Sequence, residues 1–328
     1  MSATTQPCTV CGADGQSVGG ISDPVSPTGR WDLWHCRECT SAWATPLVLP
    51  DGYYDALYGA GRAMTGYVRY HRLARMVVGQ RAPLDFLATQ QDVYWAAQRF
   101  LRDHAPKGPV AEIGSGLGYL TYAVHADGRD IVGLDLSTEA VERANAAFGP
   151  HYRTCDLADP DPDLVEAFDA VVCLEVIEHT VDPVDFVRDA LRLLRPGGRL
   201  LVTTPDRDGF DPGDRWRTDP PPVHFHWFGR RSMEVIAERL GVQVELLDFT
   251  DFNDAHVQAV PRACGDLPRP FLDADLVPVA PAGGRERLID LLDRAPRLSA
   301  PLRAAVRGRQ GERRHGRGSA ALAAVFSR

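Results

Sequence analysis

Four of the seven cysteines stand in two pairs whose spacing suits a metal ion. Two residues separate the members of each pair and 24 residues separate the pairs, which are formed by Cys8, Cys11, Cys36 and Cys39. Four thiolates complete a tetrahedral zinc site and leave no coordination position open for a substrate. The pattern therefore predicts a structural zinc ribbon, with a redox-active pair as the alternative. Because residues 1–46 hold few aliphatic side chains, this segment needs the metal to hold its fold.

A second group of residues suits a cofactor. The run Glu112-Ile113-Gly114-Ser115-Gly116-Leu117-Gly118 follows a predicted strand and opens a predicted helix. Glycines there let the backbone approach a ligand, and the helix start offers free N–H groups. The spacing is G-x-G-x-G and not the dinucleotide fingerprint G-x-G-x-x-G, because Tyr119 stands where the third glycine would be.

Acidic residues stand at or close to the ends of four predicted strands, where open α/β sheets bind their ligands. They are Glu112, Asp135, Asp156 and Glu175. Acids in these positions would repel a pyrophosphate. They suit a ligand that carries an ammonium group, a sulfonium group and a ribose diol.

These residues resemble the ordered motifs of class I S-adenosylmethionine (SAM)-dependent methyltransferases. The resemblance covers about residues 107–250 and includes the segment 174–179 and the turn 194–200. It implies SAM as the cofactor, with Asp135 accepting the ribose hydroxyls and Glu175 in a segment beneath the methionine part. The cofactor-binding residues that it implies are Glu112, Gly114, Gly116, Gly118, Asp135, Leu136, Asp156, Leu157 and Glu175. An NAD enzyme and a nucleotide-free α/β domain are the alternatives.

Methyl transfer from a sulfonium needs a positioned nucleophile and, for some acceptors, a base. His224 and His226 lie in a proline-rich loop after the fifth predicted strand and are the candidate catalytic residues. Similar sugar C-methyltransferases carry a His-Glu-His version of this region, and Pro222 stands at the equivalent of its first histidine. The alternative is that His224 only anchors the loop.

Glu175, Glu178 and His179 form an E-x-x-E-H cluster. Ubiquinone-type catechol O-methyltransferases have a similar cluster that is linked to a divalent metal. The alternative is a network at a helix start that holds the SAM pocket.

Predicted strands and helices alternate from Val110 onward, and these elements position the residues named above. The alternation predicts a Rossmann-like α/β fold with a seven-stranded, mostly parallel sheet. The predicted strands are 110–113, 131–134, about 152–154, 169–174, 199–204, 242–249 and 320–326. The predicted helices are 91–104, 118–127, 137–148, 161–167, 182–194, 231–240, 285–293 and 300–307. The predicted domains are a zinc ribbon at 1–46, a helical lid or linker at 47–106 and a methyltransferase domain at 107–328 with an insertion at about 252–318.

The composition limits the classes of molecule that we expect the protein to bind. The net charge is −8 and Lys107 is the only lysine, which argues against binding to nucleic acid and hence against an RNA-modifying enzyme. The sequence begins without a signal-peptide pattern and has no apolar run of about 20 residues, so we expect a cytoplasmic protein that does not bind membranes. The order of ribbon, Tyr-rich segment and core resembles bacterial natural-product methyltransferases, which implies a small polar methyl acceptor. A non-catalytic SAM-binding protein is the other alternative, and the oligomeric state stays open.

Overall fold

The computed structural model describes residues 5–60, 68–208, 215–216, 220–256, 258–259, 263–264, 272–279, 311–312 and 319–328. The chain opens with an antiparallel sheet in which each strand pairs with the next. Its strands are β1 (Thr5–Pro7), β2 (Asp14–Ser22), β3 (Arg30–His35) and β4 (Ala42–Thr45). Trp31 and Trp43 are fully buried, so indole rings supply the bulk that aliphatic residues supply in larger cores.

Four helices follow the small sheet. They are α1 (Tyr53–Ala60), α2 (Val68–Val77), α3 (Pro83–Ala88) and α4 (Asp92–Arg99), and α4 continues as a π-helical turn, Phe100–His104. The buried residues Leu73, Leu84 and Phe100 belong to the hydrophobic core on one face of the large sheet. Helices α2 to α4 therefore pack on the sheet as part of that core.

The rest of the chain builds the large sheet and its covering helices. Its elements are β5 (Val110–Ile113), α5 (Tyr119–Ala126), β6 (Ile131–Asp135), α6 (Thr138–Phe148), β7 (Tyr152–Thr154), β8 (Phe168–Leu174), α7 (Pro183–Arg192), β9 (Leu194–Pro205), β10 (Arg215–Trp216), β11 (His226–Trp227), α8 (Arg230–Leu240), β12 (Gln243–Leu246), α9 (Thr250–Ala255), β13 (Gln258–Ala259), β14 (Ala263–Cys264), β15 (Gly311–Glu312) and β16 (Ala321–Ser327). Seven strands form the sheet in the order β12-β16-β9-β8-β5-β6-β7. Only β16 and its neighbour β12 at the edge depart from parallel pairing. The predicted fold class is thereby confirmed.

Local chemistry explains where the helices begin. The side chain of Ser137 accepts a hydrogen bond from the N–H of Ala140 at the start of α6. Asp182 accepts two from the N–H groups of Val184 and Asp185 at the start of α7, both at 3.0 Å. Each bond satisfies a backbone donor that has no partner within the helix.

The helix predicted at 161–167 is wrong. A single 3₁₀ turn, Pro162–Leu164, stands there, and Glu166 has a φ of 51° that ends any helical path. The backbone N–H groups of Glu166 and Ala167 donate instead to the carbonyls of Arg192 and Leu193, at the end of α7 just before β9. The helices predicted at 285–293 and 300–307 lie outside the described residues. Among the described helices, none combines the length and the apolar composition that a bilayer span requires.

The small N-terminal sheet takes its fifth strand from the far side of the chain. Strand β11 pairs antiparallel with β4, with His226 opposite Trp43 and Trp227 opposite Ala42. A sheet that begins in the predicted ribbon is thus completed by residues of the predicted methyltransferase domain.

Candidate functional site

The glycine loop between β5 and α5 adopts a backbone that side chains would obstruct. Gly114, Gly116 and Gly118 have φ values of 72°, 47° and 80°, all in the left-handed region that favours glycine. A Cβ atom on Gly114 would lie 2.4 Å from Cγ2 of Val176, and one on Gly118 would lie 2.8 Å from Cβ of Ala144. The loop therefore needs glycine both for its conformation and for space.

Asp135 fixes this loop against the end of β6. Its carboxylate accepts hydrogen bonds from the N–H of Gly116 at 2.7 Å and from the N–H of Ser137 at 2.9 Å. Burial raises the pKa of Asp135 above its ordinary value, although the backbone N–H groups oppose the shift. Asp135, the residue predicted to bind the ribose, is thus hydrogen-bonded directly to the predicted glycine loop.

Glu112 is a strongly perturbed carboxyl group of the cofactor site. It is buried within β5 and accepts a hydrogen bond from the hydroxyl of Thr121 on α5. Burial is the main cause that raises its pKa to about 8, and the negative charge of Asp135 adds to the shift. Within the described part of the chain, neither Glu112 nor Asp135 forms an ion pair with a basic side chain. The site therefore has two buried acids whose ionised forms a cationic ligand would favour.

The remaining predicted cofactor residues lie at the same edge of the sheet. Leu136 follows Asp135 and is 67% exposed, and Asp156 is exposed after β7. The N–H of Cys155 donates to the carbonyl of Asp135, which joins the segment of Asp156 and the half-buried Leu157 to the end of β6. An exposed leucine beside a buried carboxylate suits a ligand with an apolar ring next to a polar sugar.

Glu175 stands at the end of β8 with a φ of 57°, an uncommon conformation for a residue with a side chain. The hydroxyl of Thr203 donates to its carboxylate at 3.3 Å, and its own N–H donates to the carbonyl of Thr203. Neighbouring β9 thus holds Glu175 in a turn that reverses the chain towards the glycine loop.

A polar cluster follows Glu175 and includes one of the two predicted catalytic histidines. One ligand atom from each of Glu178, His179 and His224 lies within 4.8 Å of the others. Nε2 of His224 is 3.9 Å from Oε1 of Glu178, whose side chain is fully buried, and the rings of His179 and His224 meet edge to face. The Nδ1–H of His179 donates to the carbonyl of Val223, so its Nε2 is the nitrogen left for other contacts. Burial lowers the pKa of His224 to about 3, which keeps its imidazole neutral.

The second predicted catalytic histidine lies elsewhere. Nε2 of His226 is 3.0 Å from the hydroxyl oxygen of Thr9, inside the first cysteine pair, and its ring stacks on Phe228. It is not among the three residues of the polar cluster. The structure thus brings His224 to the cofactor side of the loop and His226 to the ribbon side.

The sequence analysis did not assign Tyr54 to the site. Its ring meets that of His179 edge to face, and burial together with the charges of Glu178 and Asp135 raises its pKa. Helix α1 therefore brings a half-buried tyrosine ring against His179 of the polar cluster. In the sequence, Tyr54 is one tyrosine of an aromatic run whose spacing equally fits core packing, so only its position beside Tyr53 on a short helix could have hinted at this contact.

The four paired cysteines converge. The Sγ atoms of Cys8 and Cys39 are 3.5 Å apart, and those of Cys11 and Cys36 are 3.4 Å apart. All four lie within 4.8 Å of one another, whereas a disulfide requires about 2 Å. Tetrahedral zinc with bonds of about 2.3 Å separates its sulfur ligands by about 3.8 Å. The four thiols therefore have the spacing of a zinc site without a metal-driven rearrangement.

Comparisons with known proteins agree with this geometry. Residues 92–247 match a family model described as a methyltransferase domain. The chain is 34% identical over 142 residues to a protein of Mycolicibacterium smegmatis described as a "probable" SAM-dependent methyltransferase, covering 42% of this chain and 52% of that protein. It is 34% identical over 119 residues to the mitochondrial ubiquinone biosynthesis O-methyltransferase of Bos taurus, covering 32% of each. The chain thus spans about a third to a half of the length of these relatives.

Solved structures with a similar course of the chain include a SAM-dependent methyltransferase from Thermotoga maritima. It is 18% identical with a TM-score of 0.42, and the match covers 79% of this chain and 99% of that one. The glycopeptide N-methyltransferase MtfA matches 49% of this chain and 84% of its own, at 17% identity and a TM-score of 0.39.

Proposed function

We propose that this protein is a SAM-dependent methyltransferase that acts on a small polar acceptor in bacterial specialised metabolism. The observation that carries the proposal is the pair of buried acids, Glu112 and Asp135, around a glycine loop with no cation beside them in the described residues. SAM supplies the ammonium and sulfonium charges that such a site lacks, and an activated methyl group. The match of residues 92–247 to a methyltransferase domain and the curated relatives support the same cofactor.

The predicted cofactor residues at the carboxyl ends of β5 to β8, which we call the cofactor edge, each have a role in this proposal. Glu112 would hold the ammonium group, and Asp135 would accept the ribose hydroxyls while it fixes the loop through Gly116. The exposed side chain of Leu136 would be covered by the adenine ring, with Asp156 and Leu157 on its far side. Glu175, held by Thr203, would support the methionine part. We infer from the acidic charge and from the absence of a transmembrane-length helix in the described residues that the acceptor is a small molecule met in the cytoplasm.

His224 is the proposed base for the acceptor. With a pKa of about 3 it is neutral at pH 7, so it can accept a hydrogen bond from a hydroxyl or amine. Proton transfer to so weak a base requires compensation, and the carboxyl group of Glu178 stands 3.9 Å away to stabilise the imidazolium. His226 is proposed to have no part in proton transfer, because its Nε2 is engaged with Thr9.

A divalent metal is the second candidate for activating the acceptor. A carboxylate and two imidazoles within 4.8 Å of one another, two of the three buried, form a donor set that suits such an ion. Here Glu178, His179 and His224 would hold the metal, which would lower the pKa of an acceptor hydroxyl. The two candidates differ in an observable: only the second loses activity on removal of a metal that is separate from the ribbon zinc.

The ribbon zinc is proposed to be structural. Four thiols at 3.4 and 3.5 Å in pairs would fill the coordination sphere and leave no site for a substrate.

Calorimetric titration with SAM and with its demethylated product tests the cofactor assignment. We expect binding of both, no binding of NAD, and at least tenfold weaker binding by Asp135→Asn, because that variant loses the charge that orders Gly116. The matched control Asp159→Asn makes the same chemical change at an exposed position and should bind as the unaltered protein. A protein that binds neither compound would refute the proposal. Neighbouring genes indicate a biosynthetic pathway, and its intermediates are the candidate acceptors. An assay for transfer of a labelled methyl group to each of them then identifies the acceptor.

A further inference from the structure

The loop that carries His224 is held between two parts of the molecule. The carbonyl of Phe225 accepts a hydrogen bond from the N–H of Ala44 in β4 at 2.8 Å, and the N–H of Phe225 donates to the carbonyl of Glu178 at 2.9 Å. One buried peptide segment therefore touches the ribbon on one side and the polar cluster on the other. Because His224 precedes Phe225, its position depends on both contacts.

Two further contacts tie the loop to its neighbours. Next to His224 on the N-terminal side, the carbonyl of Val223 accepts the bond from His179. On the C-terminal side, Nε2 of His226 lies 3.0 Å from the hydroxyl oxygen of Thr9, although 217 residues separate the two in sequence. His226 and Thr9 thus form a side-chain contact between the loop and residues 8–11, the first cysteine turn.

The ribbon is itself anchored to the helix that follows the loop. The hydroxyl of Ser232 donates to the carbonyl of Cys39 at 2.9 Å, and the guanidinium of Arg239 donates to the carbonyl of Val10. Both cysteine turns therefore bind α8. A ribbon that is fixed at α8 can set the position of the loop, because it cannot follow the loop when the loop moves.

We propose that the ribbon positions His224, and that Thr9 and His226 are the positioning residues of this arrangement. The inference rests on the proposed function of His224. Pairing of β4 with β11 and the backbone bonds at Phe225 and Phe228 hold the main chain at both ends of this segment. The contact between Thr9 and His226 adds a hold at its middle, where a strand of two residues has few ladder bonds of its own.

Hydrogen–deuterium exchange tests the proposal without knowledge of the acceptor. The full-length, zinc-loaded protein is compared with Thr9→Val, Thr9→Ser and the control Thr5→Val, each with and without S-adenosylhomocysteine. Thr5 is an exposed threonine of the same ribbon, in β1. Loss of one buried hydrogen bond should speed exchange at residues 220–228 about fivefold to tenfold in Thr9→Val. Exchange at 131–137, the zinc content and the dissociation constant of S-adenosylhomocysteine should stay within twofold of their original values.

Rescue separates positioning from general stability. Thr9→Ser keeps the hydroxyl and should restore the slow exchange, and Thr5→Val should leave it unchanged. Unaltered exchange at 220–228 in Thr9→Val, equally fast exchange in Thr9→Ser, or faster exchange over the whole chain would each overturn the proposal. If Thr9→Val fails to fold, Thr9→Ala removes the same hydroxyl with a smaller side chain and carries the same expectations.

Kinetics gives a second readout once an acceptor is known. We expect Thr9→Val to lower kcat about tenfold while the KM for SAM stays unchanged, because the described hydrogen bonds of Glu112, Asp135 and Glu175 do not involve Thr9 or His226. A change in the KM for SAM with an unchanged kcat would contradict the inference. Failure of the unaltered protein to bind S-adenosylhomocysteine would refute the proposed function, whereas the exchange comparison without that ligand would still decide the inference.

Discussion

Replacement of Glu112 by glutamine should weaken SAM binding and stabilise the ligand-free protein at the same time. Burial raises the pKa of this carboxyl group to about 8 from an ordinary value of 4.5. At pH 7 about nine-tenths of the ligand-free protein therefore carries a neutral Glu112. A cationic ligand favours the charged form, so binding of SAM should release close to one proton at that pH.

The magnitude of the effect on binding follows from the pKa. Ionising a group with a pKa of about 8 at pH 7 costs about 1–2 kcal/mol, which weakens binding about tenfold relative to a carboxyl that is already charged. Affinity for SAM should accordingly rise about ninefold between pH 6 and pH 7. Glu112→Gln cannot ionise, so its affinity should be about tenfold to a hundredfold lower at pH 7.5 and flat over the same range.

The effect on stability has the opposite sign. A folded-state pKa above the unfolded one means that folding opposes the charged form. The resulting cost is absent below about pH 4.5, grows up to about pH 8 and is constant above it. At pH 7 it amounts to about 3 kcal/mol, which Glu112→Gln would recover in part, since the carboxamide oxygen can still accept the bond from Thr121.

Calorimetry in two buffers with different ionisation enthalpies measures the proton release, and denaturant unfolding between pH 4 and pH 8 measures the stability. Glu142→Gln makes the same chemical change at an exposed position on α6 and serves as the control. The reasoning is refuted if SAM affinity of the unaltered protein does not change between pH 6 and pH 7, or if Glu112→Gln binds SAM normally and gains no stability.

Three further predictions concern other parts of the molecule. Gly118→Ala should lose about 2–4 kcal/mol of stability in a denaturant titration and bind SAM more weakly, because the added Cβ would lie 2.8 Å from Ala144 and the φ of this residue is positive. Gly128→Ala is the control, since Gly128 also has a positive φ, of 90°, but open space around it. It should lose only about 1 kcal/mol in the same titration. Cys36→Ser should lower the zinc content measured by elemental analysis from one ion per chain and reduce the melting temperature, whereas Cys155→Ser should retain the metal. His224→Asn should lower kcat at least a hundredfold with SAM binding intact; if a chelator that leaves the ribbon zinc in place abolishes turnover of the unaltered protein, the metal mechanism replaces the histidine base.

The sequence predicts the large sheet well because its signals are local. Short apolar runs such as 110–113 and 131–134 are bounded by glycine, proline or polar residues, and buried parallel strands need little else. The acids at the strand ends follow from the same pattern, since parallel strands bring their carboxyl ends to one edge. The false helix at 161–167 has the opposite cause. Two of its backbone N–H groups bond to residues 192 and 193 at the end of α7, and nothing within the segment indicates that partner.

The contacts of the histidine loop were out of reach for a related reason. His226-Trp227 has the length of a turn, and its pairing with β4 depends on residues that lie nearly two hundred positions away. Two histidines separated by one residue look equivalent in sequence and would point to the same side of a regular strand. Pairing with β4 begins only at His226, whereas His224 follows directly on the turn at 221–223, so their side chains diverge. His224 therefore faces Glu178, while His226 faces Thr9.

The different surroundings of His224 and His226 connect the two ends of the proposed chemistry. The cofactor edge is built within a short stretch, since Gly116 bonds to Asp135 at the end of β6 and Glu112 of β5 bonds to Thr121 in α5, the helix that follows the glycine loop. The acceptor side has no such local frame, because a loop rich in proline cannot satisfy its own backbone through a sheet of its own. It borrows β4 of the ribbon for that purpose. In the proposal, the ribbon sets the position of His224, the proposed base, and the four cysteines hold the ribbon. Loss of the metal site should therefore impair methyl transfer, although that site binds no substrate.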